Sequence, residues 1–137
     1  MALEHCNAQV NAQGREIKEH GTRLFPIACY HDRLAQDAVP WHWHDEWEVI
    51  AIQQGCAVLS IDGQTHTLNT GEGIFINASA LHSVRDQGNT DCCLQSLVFH
   101  PRLVGGSLES IFWQSYVQPI LSHTGLKKNV FSYLLHI

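Results

Sequence analysis

The feature that most restricts the fold of this chain is its punctuation between residues 24 and 99. Short apolar or alternating segments follow one another there: Leu24–Tyr30, Trp41–Gln53, Cys56–Ile61, Gln64–Leu68, Gly73–Asn77, His82–Arg85 and Cys92–Phe99. Turn residues separate them. Asp62-Gly63 reads as a hairpin turn, Asn69–Glu72 as another turn, and Asp86–Asp91 as a polar loop. Many short strands with regular turns predict an antiparallel sandwich or barrel. Pro26 lacks a backbone N–H, so Leu24–Tyr30 is expected at an edge.

The flanks differ in texture. Residues 2–20 are polar, with only Leu3, Val10 and Ile17 as sizeable apolar side chains, and read as a loose arm or a short helix. After Pro101, Gly105-Gly106 breaks the chain and Ser107 is able to cap a helix. Leu108, Ile111, Phe112 and Tyr116 then fall at helical spacing on one face, and Pro119 is expected to end or kink that helix. Trp113 lies off this stripe, so the helix has a second apolar face. With 137 residues the chain suits one domain. The expected layout is an arm over 1–20, an all-β unit over 21–100, a helical segment over 101–122 and a tail over 123–137.

Charge removes several functions. Charged residues make up 15%, below the roughly 25% of an average domain. From Asp37 to Asp91 eight acids face one base, Arg85, a net of −7 that would repel a phosphate backbone. Five cysteines in no CxxC spacing read as reduced thiols of a cytoplasmic protein, with Cys56, Cys92 and Cys93 as core fillers. No apolar run approaches the ~20 residues of a membrane span, and no basic-then-apolar leader opens the chain. Neither a nucleophile–base spacing nor a glycine-rich phosphate loop is present. Histidine is abundant: ten residues, against eight Lys plus Arg.

The chemistry concentrates in Trp41-His42-Trp43-His44-Asp45-Glu46-Trp47-Glu48. Read as one strand, alternation puts His42, His44 and Glu48 on one face with Ile50 and Ile52, and Trp41, Trp43 and Trp47 on the other. Two imidazoles and a carboxylate on an apolar face suit a metal or small-ligand site. They equally suit a hydrogen-bonded core, and both readings stand on spacing alone. His82, on a later strand, is the candidate fourth ligand. His66 reads as solvent-facing and His100 as structural; His5, His20, His31, His123 and His136 fit no partner pattern.

These residues resemble the cupin motifs. His42, His44, Glu48 and Gly55 keep the spacing of the first, although Gln36 stands where a glycine is usual. Gly71, Asn77, Ser79 and His82 keep the spacing of the second, with Asn and Ser in place of Pro and Gly. The resemblance implies a double-stranded β-helix, a small jelly-roll barrel. It also implies a divalent metal (Zn, Fe, Mn or Ni) held by His42, His44, Glu48 and His82, and a ligand contacting those residues and Ile50.

A finer resemblance runs from about Thr22 to Leu121. The segments FPIACYHDRL, VPWHWHDEWEVIAIQQG, LNTGEGIFINASALHSV, LQSLVFHPRLVGGS and SIFWQSYVQPIL are similar to the N-terminal sensing domain of AraC-family transcriptional regulators. That resemblance implies an effector, a sugar or small organic acid, inside the barrel. It implies a homodimer through the post-barrel helix, here Leu108, Ile111 and Phe112, and DNA contact only through a separate helix-turn-helix half. That half needs ~100 residues, about one more domain, so the expectation is a shortened chain with a truncated linker at its end. The competing expectation is a metal-dependent cupin enzyme, a dioxygenase or isomerase, in which three His and one Glu leave metal positions open to substrate.

Overall fold

The computed structural model describes residues 4–36, 38–123 and 125–133. Asp37, Leu3, His136 and the end of the apolar tail lie outside that range. Among the described residues, nine strands form two antiparallel sheets. The first joins β1 (Ile27–Arg33), β8 (Cys93–Phe99), β3 (Trp47–Gln54), β6 (Glu72–Ile76) and β9 (Lys128–Ser132), in that order. The second joins β2 (Val39–His42), β7 (His82–Asp86), β4 (Cys56–Ile61) and β5 (Gln64–Asn69). Between them lies the main core, with Ile50, Ile52, Leu59, Ile61, Leu68, Ile74, Ile76 and Leu94 all buried. Alternation along each strand supplies these residues, one inward side chain in every two. The result is a two-sheet jelly roll.

Two glycines close turns that other residues would strain. Gly55, between β3 and β4, has φ +76°, and a Cβ there would lie 2.7 Å from the Thr90 carbonyl oxygen. Gly71, before β6, has φ +89°. Left-handed backbone of this kind favours glycine. No helix among the described residues is long and apolar enough to cross a membrane.

Several expectations need correction. Trp41–Gln53 is not one strand. It divides into β2 and β3 in different sheets, with Trp43–Glu46 crossing between them. Each half has its own partner, β7 for β2 and β6 and β8 for β3, so hydrogen bonding forces the chain to change sheets. The first strand begins at Ile27, not Leu24; Leu24 and Phe25 are exposed, and the strand does sit at a sheet edge. Cys56 is half-buried beside Gln87, unlike the buried Cys92 and Cys93. The arm contains no helix among the described residues. It lies on the barrel in extended form, its backbone bridging Tyr30 and Trp43. Part of the tail pairs with β6 as β9.

The post-barrel segment holds α1 (Arg102–Gly105), then a π-helical stretch (Trp113–Val117) running into α2 (Gln118–Ser122). The short helical run passes through Pro119 instead of ending at it. Proline offers no N–H to the preceding turn, and the widened π turn lies immediately before it. The face that packs on the barrel is Trp113 and Val117, against Trp47, Phe75 and Phe99 on the outer side of the first sheet. The expected stripe faces outward: Leu108, Ile111, Phe112 and Tyr116 are 59–67% exposed.

Candidate metal centre

His42 ends β2, His44 lies in the crossover, Glu48 is the second residue of β3 and His82 opens β7. His42 and His82 are direct partners in the β2–β7 ladder, and their rings are 4.2 Å apart between centroids. His44 follows as the chain turns to the other sheet, and Glu48 reaches back from there. All four are buried, and one donor atom from each lies within 4.8 Å of the others. Donors about 2.0–2.2 Å from a shared metal stand about 3–4.2 Å apart, so small side-chain adjustments bring this set to coordination distance.

The protonation pattern is fixed by the backbone. His42 Nδ1 contacts the Pro40 carbonyl oxygen at 2.8 Å, His44 Nδ1 that of Glu46 at 3.2 Å and His82 Nδ1 that of Ala80 at 2.8 Å. A carbonyl only accepts, so each Nδ1 carries the proton and donates. In a neutral ring, Nε2 is then a bare lone pair. Yet the Nε2 atoms of His44 and His82 lie 3.2 and 3.0 Å from the same carboxylate oxygen, Glu48 Oε2. A lone pair and a carboxylate oxygen do not bond each other, and a cation among them would satisfy all three atoms. Backbone carbonyls that orient ligand imidazoles in this way are the usual support of a metal site.

Charge points in the same direction. Glu16, Asp32 and Glu48 are buried, while no Lys or Arg among the described residues is. Burial pushes the Glu48 carboxyl up, but hydrogen bonds from His44 and His82 and their charge outweigh it, holding the group well below the usual range. Burial and the neighbouring His82 depress His42. Burial also opposes the charged form of His44, but its bond to Glu48 wins and raises it. The donor set fits a divalent cation.

Sequence spacing missed the surroundings. His20, given no partner, is buried in the arm: its Nδ1 lies 2.6 Å from Tyr30 Oη and its Nε2 2.8 Å from Glu16 Oε2. Its ring packs against His44, 5.4 Å between centroids. The backbone N–H of Cys6 donates to Asp32 at 2.8 Å. Only the return of the arm over the barrel creates these contacts. Ile50 lines the interior cavity with Cys6, Asp32, His42, Glu48 and His82, but that cavity is only about 10 Å³, room for about one water. Of the other histidines, His66 is half-buried beside Lys128, and His100 is half-buried at the end of β8.

The second cupin-like stretch explains its own departures. Ser79 adopts φ +64°, the left-handed region suited to glycine. Asn77 is buried and makes four side-chain bonds. Its Oδ1 accepts from Trp47 Nε1 and Ala78 N, and its Nδ2 donates to the carbonyls of Ile120 and Leu126. An asparagine here ties the post-barrel helix to the barrel, which proline could not do.

Comparison with known proteins agrees with this architecture. The AraC-like ligand binding domain family matches residues 24–133. The HTH-type transcriptional regulator YdeC of Bacillus subtilis (strain 168) is 32% identical over 123 residues, 88% of this chain and 41% of that protein. The HTH-type transcriptional activator RhaS of Pectobacterium carotovorum is 30% identical over 67 residues, 49% of this chain and 23% of that protein. The chain thus spans less than half of the length of these regulators. In fold it resembles apo ToxT of Vibrio cholerae, with TM-score 0.51 and 12% identity over 86% of this chain and 45% of that one. It also resembles the cupin domain of Schizosaccharomyces pombe Cnp3, with TM-score 0.50 and 13% identity over 57% of this chain and 58% of that one. With 110 of its residues spanned by the family match, the chain belongs to the AraC-like ligand binding domain family.

Proposed function

We propose that this chain is the effector-sensing domain of an AraC-type transcriptional regulator, with a divalent metal held by His42, His44, Glu48 and His82 inside its barrel. One observation carries the metal: two imidazole lone pairs and a carboxylate oxygen converge within 3.2 Å where no buried Lys or Arg balances them. Zn, Fe, Mn and Ni all suit such ligands. A bound metal would supply a Lewis-acidic centre on which an effector's oxygen can sit. The chain's own residues would orient the rings through the carbonyls of Pro40, Glu46 and Ala80 and exclude water with Ile50.

The effector in this reading is a small molecule, a sugar or small organic acid, that touches His42, His44, Glu48, Ile50 and His82. The interior holds about 10 Å³ with the arm in place, so an effector enters only as the arm withdraws Cys6. A ligand that binds one arm position better than the other shifts the balance between them. Outward-facing Leu108, Ile111 and Phe112 are the proposed contact with a second copy, and DNA is reached only through a helix-turn-helix half outside this chain.

The test is metal analysis with thermal unfolding. Purified protein should hold close to one Zn, Fe, Mn or Ni per chain, lose it in His44→Ala, and lose several degrees of Tm with EDTA. Metal at about one hundred times its Kd stabilises by about 2.7 kcal/mol. Substoichiometric metal with a Tm indifferent to EDTA and to added ions overturns the metal site. A sugar and organic-acid panel that shifts nothing overturns the sensing role, whereas turnover of oxygen or substrate would make the chain a cupin enzyme.

A further inference from the structure

The arm brings a thiol into the barrel. Its first described residues run along β1: the Glu4 N–H donates to the Cys29 carbonyl at 3.3 Å, and the His31 N–H donates to the Glu4 carbonyl at 2.9 Å. Two residues on, the Cys6 N–H donates to Asp32 Oδ1 at 2.8 Å. So anchored, Cys6 packs its side chain against the core and lines the interior cavity with His42, Glu48 and His82. That cavity is only about 10 Å³, so the sulfur faces three of the four ligand candidates across the space of one water or small ion.

A second, independent observation marks the same cavity. Asp32 lines it too, its side chain is 8% exposed, and its Oδ2 has no hydrogen-bond partner among the described residues. A buried carboxylate oxygen without a partner is costly, and a cation nearby offsets that cost. No Lys or Arg among the described residues lines the cavity. Burial, and then Glu48, Glu16 and Asp32, push the Cys6 thiol up, so the sulfur keeps its proton until a cation arrives. A coordinating thiol gives up that proton outright, because the thiolate is the ligand.

We propose that Cys6 is a fifth, arm-borne ligand of the metal centre, so that a thiophilic divalent ion such as Zn²⁺ ties the arm to the barrel. The inference rests on the metal reading above and adds to it a ligand, a preference among ions and a link to the arm. In the binding step the S–H bond breaks, a sulfur–metal bond forms and the proton leaves to solvent. When an effector's oxygen replaces the sulfur, the sulfur takes a proton back and the arm is free to withdraw. Thiolate is a softer ligand than carboxylate, so it favours Zn²⁺ or Co²⁺ over Mn²⁺.

Titration of the fully reduced 137-residue chain with Co²⁺, followed by absorption, tests this. One Co²⁺ per chain should produce a near-ultraviolet sulfur-to-cobalt charge-transfer band, which nitrogen and oxygen ligands do not give. Cys6→Ser should abolish the band, and Cys56→Ser, at a half-buried thiol outside the cavity, should keep it. In competition titrations Cys6→Ser should weaken Zn²⁺ about tenfold or more and Mn²⁺ by less than about threefold. Hydrogen exchange of arm residues 4–17 should slow about tenfold with Zn²⁺ in the wild type and be indifferent to Zn²⁺ in Cys6→Ser. Co²⁺ bound one per chain without the band, a band that survives Cys6→Ser, equal losses of Zn²⁺ and Mn²⁺, or an arm that exchanges alike with and without Zn²⁺ overturns the proposal. Each of these leaves the four-ligand centre standing, because His44→Ala still abolishes binding. A wild-type chain that binds no ion stoichiometrically overturns both, so the two failures are told apart.

Discussion

Truncating Trp113 tests which face of the post-barrel helix is structural. Trp113 is 7% exposed and sits with Val117 on Trp47, which itself makes edge contacts with Phe75 and Phe99 at 5.6 and 6.1 Å between centroids. Its indole Nε1 donates to Gln118 Oε1 at 3.2 Å. Trp113→Ala removes a buried aromatic and leaves a cavity against a rigid sheet, a cost of about 3–5 kcal/mol. For a domain of this size that lowers Tm by about 10–20 °C. Ile111, two residues earlier, is 67% exposed, and Ile111→Ala should change monomer stability by less than about 0.5 kcal/mol. Urea unfolding followed by circular dichroism, at two protein concentrations a hundredfold apart, measures both. If copies pair on the outward stripe, the Ile111→Ala effect grows with concentration and the Trp113→Ala effect does not. A loss under about 1 kcal/mol for Trp113→Ala, or an equal, concentration-independent loss for Ile111→Ala, would refute the assignment of faces.

Asn77→Ala should cost about 2–3 kcal/mol in the same unfolding assay, because it strips partners from the buried Trp47 Nε1 and from the half-buried carbonyls of Ile120 and Leu126. Asn77→Asp keeps the acceptor but not the two donors, so most of the loss should persist. Ser79→Gly should do the opposite and raise stability by about 1 kcal/mol, by releasing a side chain from φ +64°. Its hydrogen bond to His44 uses the backbone N–H and survives the change.

The four ligand candidates were legible because motif spacing is a local property. His42, His44, Glu48 and His82 come together as their spacing implies. The route differs, however. Alternation along one continuous strand would put His42, His44 and Glu48 on a shared face, whereas His42 and Glu48 stand on different sheets that face each other across the core. A register shift in β2 between Val39 and His42 turns both of them inward, so His42 meets Glu48 through a bulge and not through unbroken alternation. The helix shows the converse. Period alone found an apolar stripe at Leu108, Ile111, Phe112 and Tyr116, but not which of two apolar faces the barrel would take. Trp113 fits the hollow over Trp47, and that hollow is built by β3, β6 and β8, distant in sequence.

Sequence by itself therefore determined the class of fold, the turn at Gly71, the edge position of the first strand and the members of the candidate metal centre. The first three rest on neighbours a few residues apart, where periodicity and backbone preference operate, and His82, 34 residues beyond Glu48, joins the set through the second motif. Tertiary structure alone decided that the arm lies over the barrel, burying Glu16 and His20 beside His44 and bringing Cys6 into the interior. It alone decided that the tail completes a sheet through β9. Those arrangements join segments tens of residues apart, and their free energy comes from complementary surfaces that exist only once the sheets have formed.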